Sequence, residues 1–121
     1  MSGLFVIELT GPAAKDLKAL SNVENEIITH LKTLASEPEE GHCLSQNLQG
    51  IRSLEFSIKG SGEYRAAYVV QMDVFKVTVF LIGTHENFYD KAAKRVKSLK
   101  SLVEKARNEN KIKNLPKKIK N

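Results

Sequence analysis

Three apolar stretches joined by very short links constrain the fold of this chain more than any other feature. They cover residues 54–58, 64–71 and 75–82. In the first, apolar and polar side chains alternate strictly, which is typical of a strand with one buried face. A Gly-Ser-Gly turn and a three-residue turn separate the stretches, and links of this length cannot carry a parallel crossover. The pattern therefore predicts an antiparallel three-stranded meander.

A strand and a helical hairpin are predicted ahead of the meander. Residues 4–9 (LFVIEL) are rich in branched and aromatic side chains and are followed by Thr-Gly-Pro, which is typical of a short strand that ends in a turn. Over residues 13–34 apolar side chains recur at spacings of three and four, with a break near Ser21, and this period predicts two successive helices. Residues 36–50 are polar and contain one proline and two glycines, so we interpret them as a connecting loop.

A last helix is predicted after the meander. From about residue 86 the apolar positions return to helical spacing and continue to residue 106. We expect this helix to end near residues 108–110, and the basic segment that follows to be a frayed or extended tail. The predicted order is β-α-α-β-β-β-α, a small antiparallel sheet packed against helices in an α+β domain. A chain of 121 residues fits one such domain, residues 1–110, with a basic C-terminal tail, residues 111–121.

Charge is distributed very unevenly along the chain. Residues 1–90 carry seven Lys and Arg against twelve Asp and Glu, whereas residues 91–121 carry twelve against two. The net charges of the two parts are therefore −5 and +10. A concentration of cations at one end is typical of a segment that binds a polyanion, because each neutralised phosphate releases counterions. The alternative interpretation is a solvated helix face followed by a basic tail.

Membrane, metal and cofactor classes find no support in the composition. No run of about eighteen apolar residues is present, and residues 1–9 lack the features of a secretory signal. We therefore expect a cytoplasmic protein with no membrane partner. Cys43 is the single cysteine, and its neighbour His42 adds one more potential ligand, which is too few for a structural metal site. We expect no cofactor and no metal.

Four segments resemble, in the same order, segments of the RelE/ParE superfamily of type II toxin–antitoxin toxins. They are GPAAKDLKAL, LQGIRSLEFSIK, GEYRAAYVV and VFLIGTHENFYDKAAKRV, and the resemblance extends from about residue 5 to residue 99. It implies a toxin held in check by a cognate antitoxin. It also implies one of two activities, since RelE-like members cleave mRNA at the ribosome whereas ParE-like members poison DNA gyrase. A shared fold does not decide between them.

Three residues are the predicted catalytic group. Metal-independent RNA cleavage through the ribose 2′-hydroxyl needs a proton acceptor, a cation at the phosphate and a proton donor to the leaving oxygen. Arg65 lies where the resembled ribonucleases carry a phosphate-binding arginine, and its planar fork suits phosphate oxygens. His85 follows the last strand and has a side chain that titrates near neutral pH. Tyr89, four residues later, is placed to stack on a base or share in proton transfer.

Five further cations are predicted to bind RNA by lining a basic groove around this centre. They are Arg52, Lys59, Lys91, Lys94 and Arg95. Each of them alone has a second interpretation as a solvated surface charge. Arg65 likewise has a second interpretation, a surface salt bridge to Glu55 or Glu63.

Of the two activities that the resemblance implies, these residues favour the mRNA endoribonuclease that acts at the ribosome, with the ribosome and mRNA as partners besides the antitoxin. One departure weakens this prediction, because many ribosome-dependent relatives carry extra cations in the segment that here reads Glu86-Asn87-Phe88. A gyrase poison without catalytic activity and a plain RNA-binding module therefore remain alternatives. The sequence leaves the codon preference, the identity of the antitoxin and the oligomeric state open.

Overall fold

The computed structural model describes residues 4–113, with side chains described as far as residue 108. Five strands and four α-helices occur in this part of the chain. In order they are β1 (Val6–Leu9), α1 (Gly11–Ala19), α2 (Glu24–Lys32), β2 (His42–Cys43), β3 (Arg52–Ile58), β4 (Gly62–Gln71), β5 (Lys76–Gly83), α3 (Phe88–Arg95) and α4 (Lys100–Lys113). No helix in the described residues is long and apolar enough to cross a membrane.

The sheet has the strand order β1-β5-β4-β3-β2. Strands β3, β4 and β5 form the predicted antiparallel meander, whereas β1 pairs with β5 in parallel. The sheet is thus mixed rather than wholly antiparallel. The reason lies in the helical hairpin, α1 and α2, which carries the chain away from β1 before it re-enters the sheet on the far side of the meander.

Helices cover both faces of this sheet and give the domain two apolar clusters. On one face the α1–α2 hairpin packs against the sheet through residues that include Ala13, Leu17, Ile27 and Leu31. On the other face α3 packs on β5 and α4 packs on β4, around Phe80, Phe88, Ala92 and Val103. The buried positions of α1 and α2 fall at the spacings that predicted the hairpin, which confirms it.

The last helix differs from its prediction. It is not continuous, since a 3₁₀ turn at Val96–Leu99 separates α3 from α4, and α4 extends to Lys113 rather than ending near residues 108–110. The turn redirects the chain so that α3 stays against β5 while α4 reaches β4. Of the predicted tail, residues 111–113 are helical and residues 114–121 lie outside the described part of the chain.

Where β1 stops, an ion pair supplies the hydrogen bonds that an edge strand would otherwise make to β5. The pairing of β1 with β5 ends at Leu9 and Val79, but β5 continues. Beyond that point the Ile82 amide donates to Asp16 Oδ2 at 3.0 Å, and Arg95 Nη1 donates to the carbonyl of Phe80 at 2.9 Å. The guanidinium of Arg95 also grips the Asp16 carboxylate through two hydrogen bonds of 2.6 and 3.0 Å. Two backbone groups that would otherwise lack partners are therefore satisfied by side chains from α1 and α3.

We expect Asp16→Ala to lower the free energy of unfolding by roughly 2–4 kcal/mol, because it leaves a guanidinium and the Ile82 amide without their partner in a poorly solvated place. Urea unfolding followed by circular dichroism measures this. The matched control is Asp73→Ala, which removes the exposed ion pair to Lys105 and should lower the free energy of unfolding far less, because solvent screens exposed pairs. Equal losses in the two variants would contradict the role given to Asp16.

Candidate active site

Arg65 stands on the face of β4 that is turned toward α3. Its neighbours Tyr64 and Ala66 belong to the cluster under the α1–α2 hairpin, so the alternation along the strand places Arg65 on the opposite face. On that face its cross-strand partners are Glu55 of β3 and Gly83 of β5. Because Gly83 has no side chain and a Cβ there would meet nothing within 4 Å, the space beside the guanidinium is open.

The guanidinium of Arg65 is held between an acid and a phenol. Nη2 lies 3.4 Å from Glu55 Oε2, and Nη1 donates to the Tyr89 hydroxyl at 2.7 Å. The salt bridge offered as the second interpretation of Arg65 is therefore present. About a quarter of the Arg65 side chain remains exposed, so its contacts fix the fork while leaving part of it accessible to an incoming anion.

Tyr89 owes its position to the start of α3. Asn87 has a left-handed backbone conformation and turns the chain into the helix, where Phe88 is buried and Tyr89 is 43% exposed. The two rings pack edge to face, with centroids 5.7 Å apart. Phe88 thus anchors the helix start, and Tyr89 is left at the surface with its hydroxyl on Arg65.

His85 enters the same cleft from the turn after β5. Arg65 and His85 line a cleft of about 180 Å³ together with Glu55, Phe56, Ser57, Glu63 and Tyr64. Of the three predicted residues, the structure brings Arg65 and His85 together in this cleft, and Tyr89 does not line it but is hydrogen-bonded to Arg65. Their catalytic role stays a prediction.

Two residues of this site were not assigned a chemical role from the sequence. Glu55 faces the cleft, and its Oε2 also lies 3.7 Å from Nε2 of His42. The hairpin register contains a signal for Glu55, since counting back from the Gly-Ser-Gly turn pairs it with Arg65. His42 gave no such signal, because β2 has only two residues and a strand that short shows no period.

A tight contact around Gly41 holds His42 in place. A Cβ on Gly41 would lie 2.6 Å from the carbonyl oxygen of Ser53 and 2.8 Å from the hydroxyl of Tyr68, so only glycine fits without a shift. The Gly41 amide donates to that hydroxyl at 2.8 Å. Burial raises the pKa of Tyr68 to about 12, which keeps the phenol protonated. The segment first interpreted as a plain loop is therefore docked onto the sheet.

The predicted RNA-binding cations are not gathered around Arg65. Arg52 pairs with Tyr68 across the strands and belongs to the other face of the sheet, where it donates to the carbonyls of Glu39 and Gly41. Lys59 is exposed in the turn between β3 and β4, two residues after Ser57 of the cleft. Of the five predicted cations, Lys59 is the nearest in sequence to a residue that lines the cleft.

The cations of α3 point elsewhere. At about 100° per residue, Lys91 lies roughly 200° and Lys94 roughly 140° around the helix from Tyr89, so both are turned away from the cleft. Arg95 is bound to Asp16 and the Phe80 carbonyl, because it faces the sheet rather than solvent. The structure therefore differs from the basic groove expected around the centre. The cleft itself is lined by two carboxylates, those of Glu55 and Glu63.

Within the described residues, no group of three or more His, Cys, Asp or Glu side chains is arranged to hold a metal ion. Cys43 is exposed, with a free thiol. The chemical groups that line the cleft are two carboxylates, an imidazole, a guanidinium and a phenol.

Comparisons with solved structures match the fold to RelE toxins. The toxin–antitoxin complex RelBE2 from Mycobacterium tuberculosis is 20% identical, with a TM-score of 0.60, and the match covers 68% of this chain and 99% of that chain. The free state of an E. coli RelE variant is 22% identical, with a TM-score of 0.61, over 77% of this chain and 98% of that one. The intact E. coli RelBE complex is 20% identical, with a TM-score of 0.53, over 66% and 95%.

Sequence comparison identifies the family. No curated protein gives a significant match. The family model described as "ParE-like toxin of type II bacterial toxin-antitoxin system" matches residues 7–93, which span β1 to α3 and contain Glu55, Arg65, His85 and Tyr89. With the fold of the solved RelE structures and a match over most of its length, the chain belongs to the ParE-like toxins of type II bacterial toxin–antitoxin systems.

Proposed function

We propose that this toxin is a metal-independent endoribonuclease that cuts mRNA at the ribosome and so inhibits translation. The observation that carries the proposal is the position of Arg65, whose guanidinium contacts the Glu55 carboxylate and the Tyr89 phenol beside a cleft that His85 also lines. A cation, a carboxylate and an imidazole around one small cleft are the groups that phosphodiester transesterification needs.

The roles follow from the chemistry of each side chain. Glu55 accepts the proton of the ribose 2′-hydroxyl, and the 2′-oxygen attacks the adjacent phosphorus. Arg65 stabilises the negative charge that develops on the phosphoryl oxygens. The bond to the 5′-oxygen breaks, and the protonated imidazole of His85 donates a proton to that oxygen. The products are a 2′,3′-cyclic phosphate and a free 5′-hydroxyl. Tyr89 holds the Arg65 fork and offers an exposed ring to a base.

Affinity and chemistry are separated in this proposal. The cleft is not basic, whereas the region from residue 91 carries ten net positive charges. Lys97, Lys100 and Arg107 lie together along the 3₁₀ turn and α4, lining a surface depression of about 500 Å³. Contacts from such cations to ribosomal or messenger RNA phosphates supply affinity without aligning a reacting bond.

A cognate antitoxin is the second proposed partner. The family to which this chain belongs consists of toxins of type II toxin–antitoxin systems, and matched solved structures from M. tuberculosis and E. coli are toxin–antitoxin complexes. We expect expression of the chain alone to stop bacterial growth and co-expression of its antitoxin to restore it. The proposed place of action is the cytoplasm, where ribosomes and mRNA meet.

We expect Arg65→Ala and His85→Ala each to abolish detectable toxicity with folding and antitoxin binding nearly intact. Loss of a charge stabiliser costs about a hundred- to a thousandfold in rate, and loss of a proton-transfer group about a hundred- to ten-thousandfold. Tyr89→Phe should be milder than Tyr89→Ala if stacking matters more than the hydroxyl. Colony counts after induction measure the effect, and thermal unfolding checks the fold.

Lys18→Ala is the matched control for these variants, since Lys18 is exposed on α1, which packs on the opposite face of the sheet. It should remain fully toxic. If the alanine variants of Arg65, His85 and Tyr89 all fold and still stop growth, the active site does not lie in this cleft.

Glu55→Gln separates two roles of the carboxylate. A carboxamide keeps the shape of the side chain but cannot take the proton of the 2′-hydroxyl. If Glu55 is the general base, the rate of RNA cleavage should therefore fall by about a hundredfold or more. If Glu55 only neutralises Arg65, its removal frees the guanidinium for phosphate and cutting should be unchanged or faster. Single-turnover cleavage of ribosome-bound mRNA distinguishes these results.

A gyrase poison is the second candidate, favoured by the ParE-like family match and by the two carboxylates in the cleft. Purified toxin added to a translation extract and, separately, to gyrase with supercoiled DNA decides between the two. The ribonuclease proposal predicts that the mRNA in the translation extract is cut. It also predicts that gyrase acts on the DNA normally, with no accumulation of the gyrase–DNA cleavage complex. Intact message together with a stabilised gyrase–DNA cleavage complex would overturn it.

A further inference from the structure

A second and larger cavity, which is open to solvent, has the Tyr89 ring in its wall. Its volume is about 400 Å³, and it is formed by the segment after Gly41, which includes Gln46 and Asn47, and by the Tyr89 ring. The volume falls within the usual range for a small-ligand site. Since the Tyr89 hydroxyl oxygen also accepts a hydrogen bond from Arg65 Nη1, this cavity begins one side chain away from the proposed position of the scissile phosphate.

The segment that lines this cavity with Tyr89 is held by hydrogen bonds from α4. Residues Gln46–Leu48 form a 3₁₀ turn, and Arg107 of α4 clamps it from behind. Arg107 Nε donates to the carbonyl of Gln49 at 2.6 Å, and Nη2 donates to the carbonyl of Asn47 at 3.1 Å. These bonds use backbone oxygens only, so they leave the carboxamide side chains of Gln46 and Asn47 available to the cavity.

Gln46 adopts a backbone conformation that its side chain does not favour. Its φ is +57°, in the left-handed region that glycine enters freely and that is strained for other residues. Strain of this kind persists where the surroundings enforce it, and it is concentrated at ligand sites. A glycine would satisfy the turn better, which suggests that the Gln46 side chain itself is used.

We propose that this cavity is a nucleobase pocket of the RNA substrate, in which the base next to the cut stacks on Tyr89 and its polar edge is read by Gln46 and Asn47. The inference rests on the proposed ribonuclease function and deepens it, because it assigns sequence preference to the segment after β2. Carboxamides pair a donor with an acceptor and therefore match a base edge that presents the same pair. The exposed Tyr89 ring supplies the stacking surface on which single-stranded bases are bound.

Mapping of cut sites tests the pocket. Full-length toxin is added to ribosomes carrying a pool of mRNAs, and the ends of the fragments are sequenced for the wild type, Asn47→Ala and Gln46→Gly. We expect one nucleotide position beside the cut to show a base preference in the wild type. The preference at this position alone should fall by about five- to tenfold in the variants, as expected for the loss of a specific polar contact to a base.

Two controls exclude an indirect effect. Gln49→Ala changes an exposed side chain of the same turn that does not line the cavity, and it should keep the wild-type preference. Gln46→Gly relieves the left-handed strain, so its melting temperature should equal or exceed that of the wild type while selectivity falls. Unchanged base preference in Asn47→Ala and Gln46→Gly, or an equal loss in Gln49→Ala, overturns the pocket.

A binding measurement separates this inference from the activity. The four nucleoside 3′-monophosphates are titrated into ¹⁵N-labelled full-length toxin, and the amide signals of residues 45–48 and 89 are followed. Shifts at these amides that disappear in Asn47→Ala support the pocket even if the wild type cuts no RNA, in which case only the ribonuclease proposal fails. No shift with any of the four nucleotides, in a wild type that cuts RNA without base preference, rejects the pocket and leaves the ribonuclease proposal standing. A wild type that neither cuts RNA nor binds any of the four rejects both.

Discussion

The contact between Asp16 and Arg95 holds the two helical layers and the sheet together. Strand β1 leaves the sheet at Leu9 to begin α1, and β5 would otherwise expose an unpaired amide and an unpaired carbonyl. The ion pair satisfies both, and in doing so it ties α1 on one face to α3 on the other. The beginning of α3 carries Tyr89, so the position of the phenol over Arg65 depends on this connection. Arg95, which was predicted to bind RNA, thus stabilises the packing of the helices on the sheet.

Register within the meander determines what surrounds Arg65. A bulge leaves Phe80 without a cross-strand partner, so Phe80 and Leu81 both turn into the cluster beneath α3 and α4. The pairing beyond the bulge is shifted by one residue, and Arg65 therefore faces Gly83, the one β5 residue here without a side chain. The open space beside the guanidinium, which is the proposed place of the phosphate, follows from that one-residue shift. Glu55 and Tyr89 then fix the fork from two other sides.

The basic residues of the C-terminal helices and the groups of the cleft lie in different parts of the molecule. The described cations from residue 91 to residue 107 belong to α3, α4 and the turn between them, while the cleft combines one guanidinium with nearby carboxylates. In the proposed function the field of these helices attracts the RNA, and the small number of groups in the cleft aligns it. Arg107 connects the two regions, because the same helix that carries the basic charge clamps the turn beside Tyr89.

Local patterns in the sequence predicted the elements that depend on near neighbours, and only the tertiary structure decided the rest. Period-two alternation and a Gly-Ser-Gly turn were enough to predict the meander and to bring Arg65 and His85 to the same end of the sheet. Helical spacing predicted the α1–α2 hairpin. The four segments that resemble RelE/ParE toxins predicted the family and its fold. The bulge at Phe80, the break at Val96–Leu99 and the docking of His42 beside Glu55 depend on packing between distant parts of the chain. The use of Arg95 depends on it as well, because a sequence shows that an arginine is charged but not whether an aspartate 79 positions away will bind it.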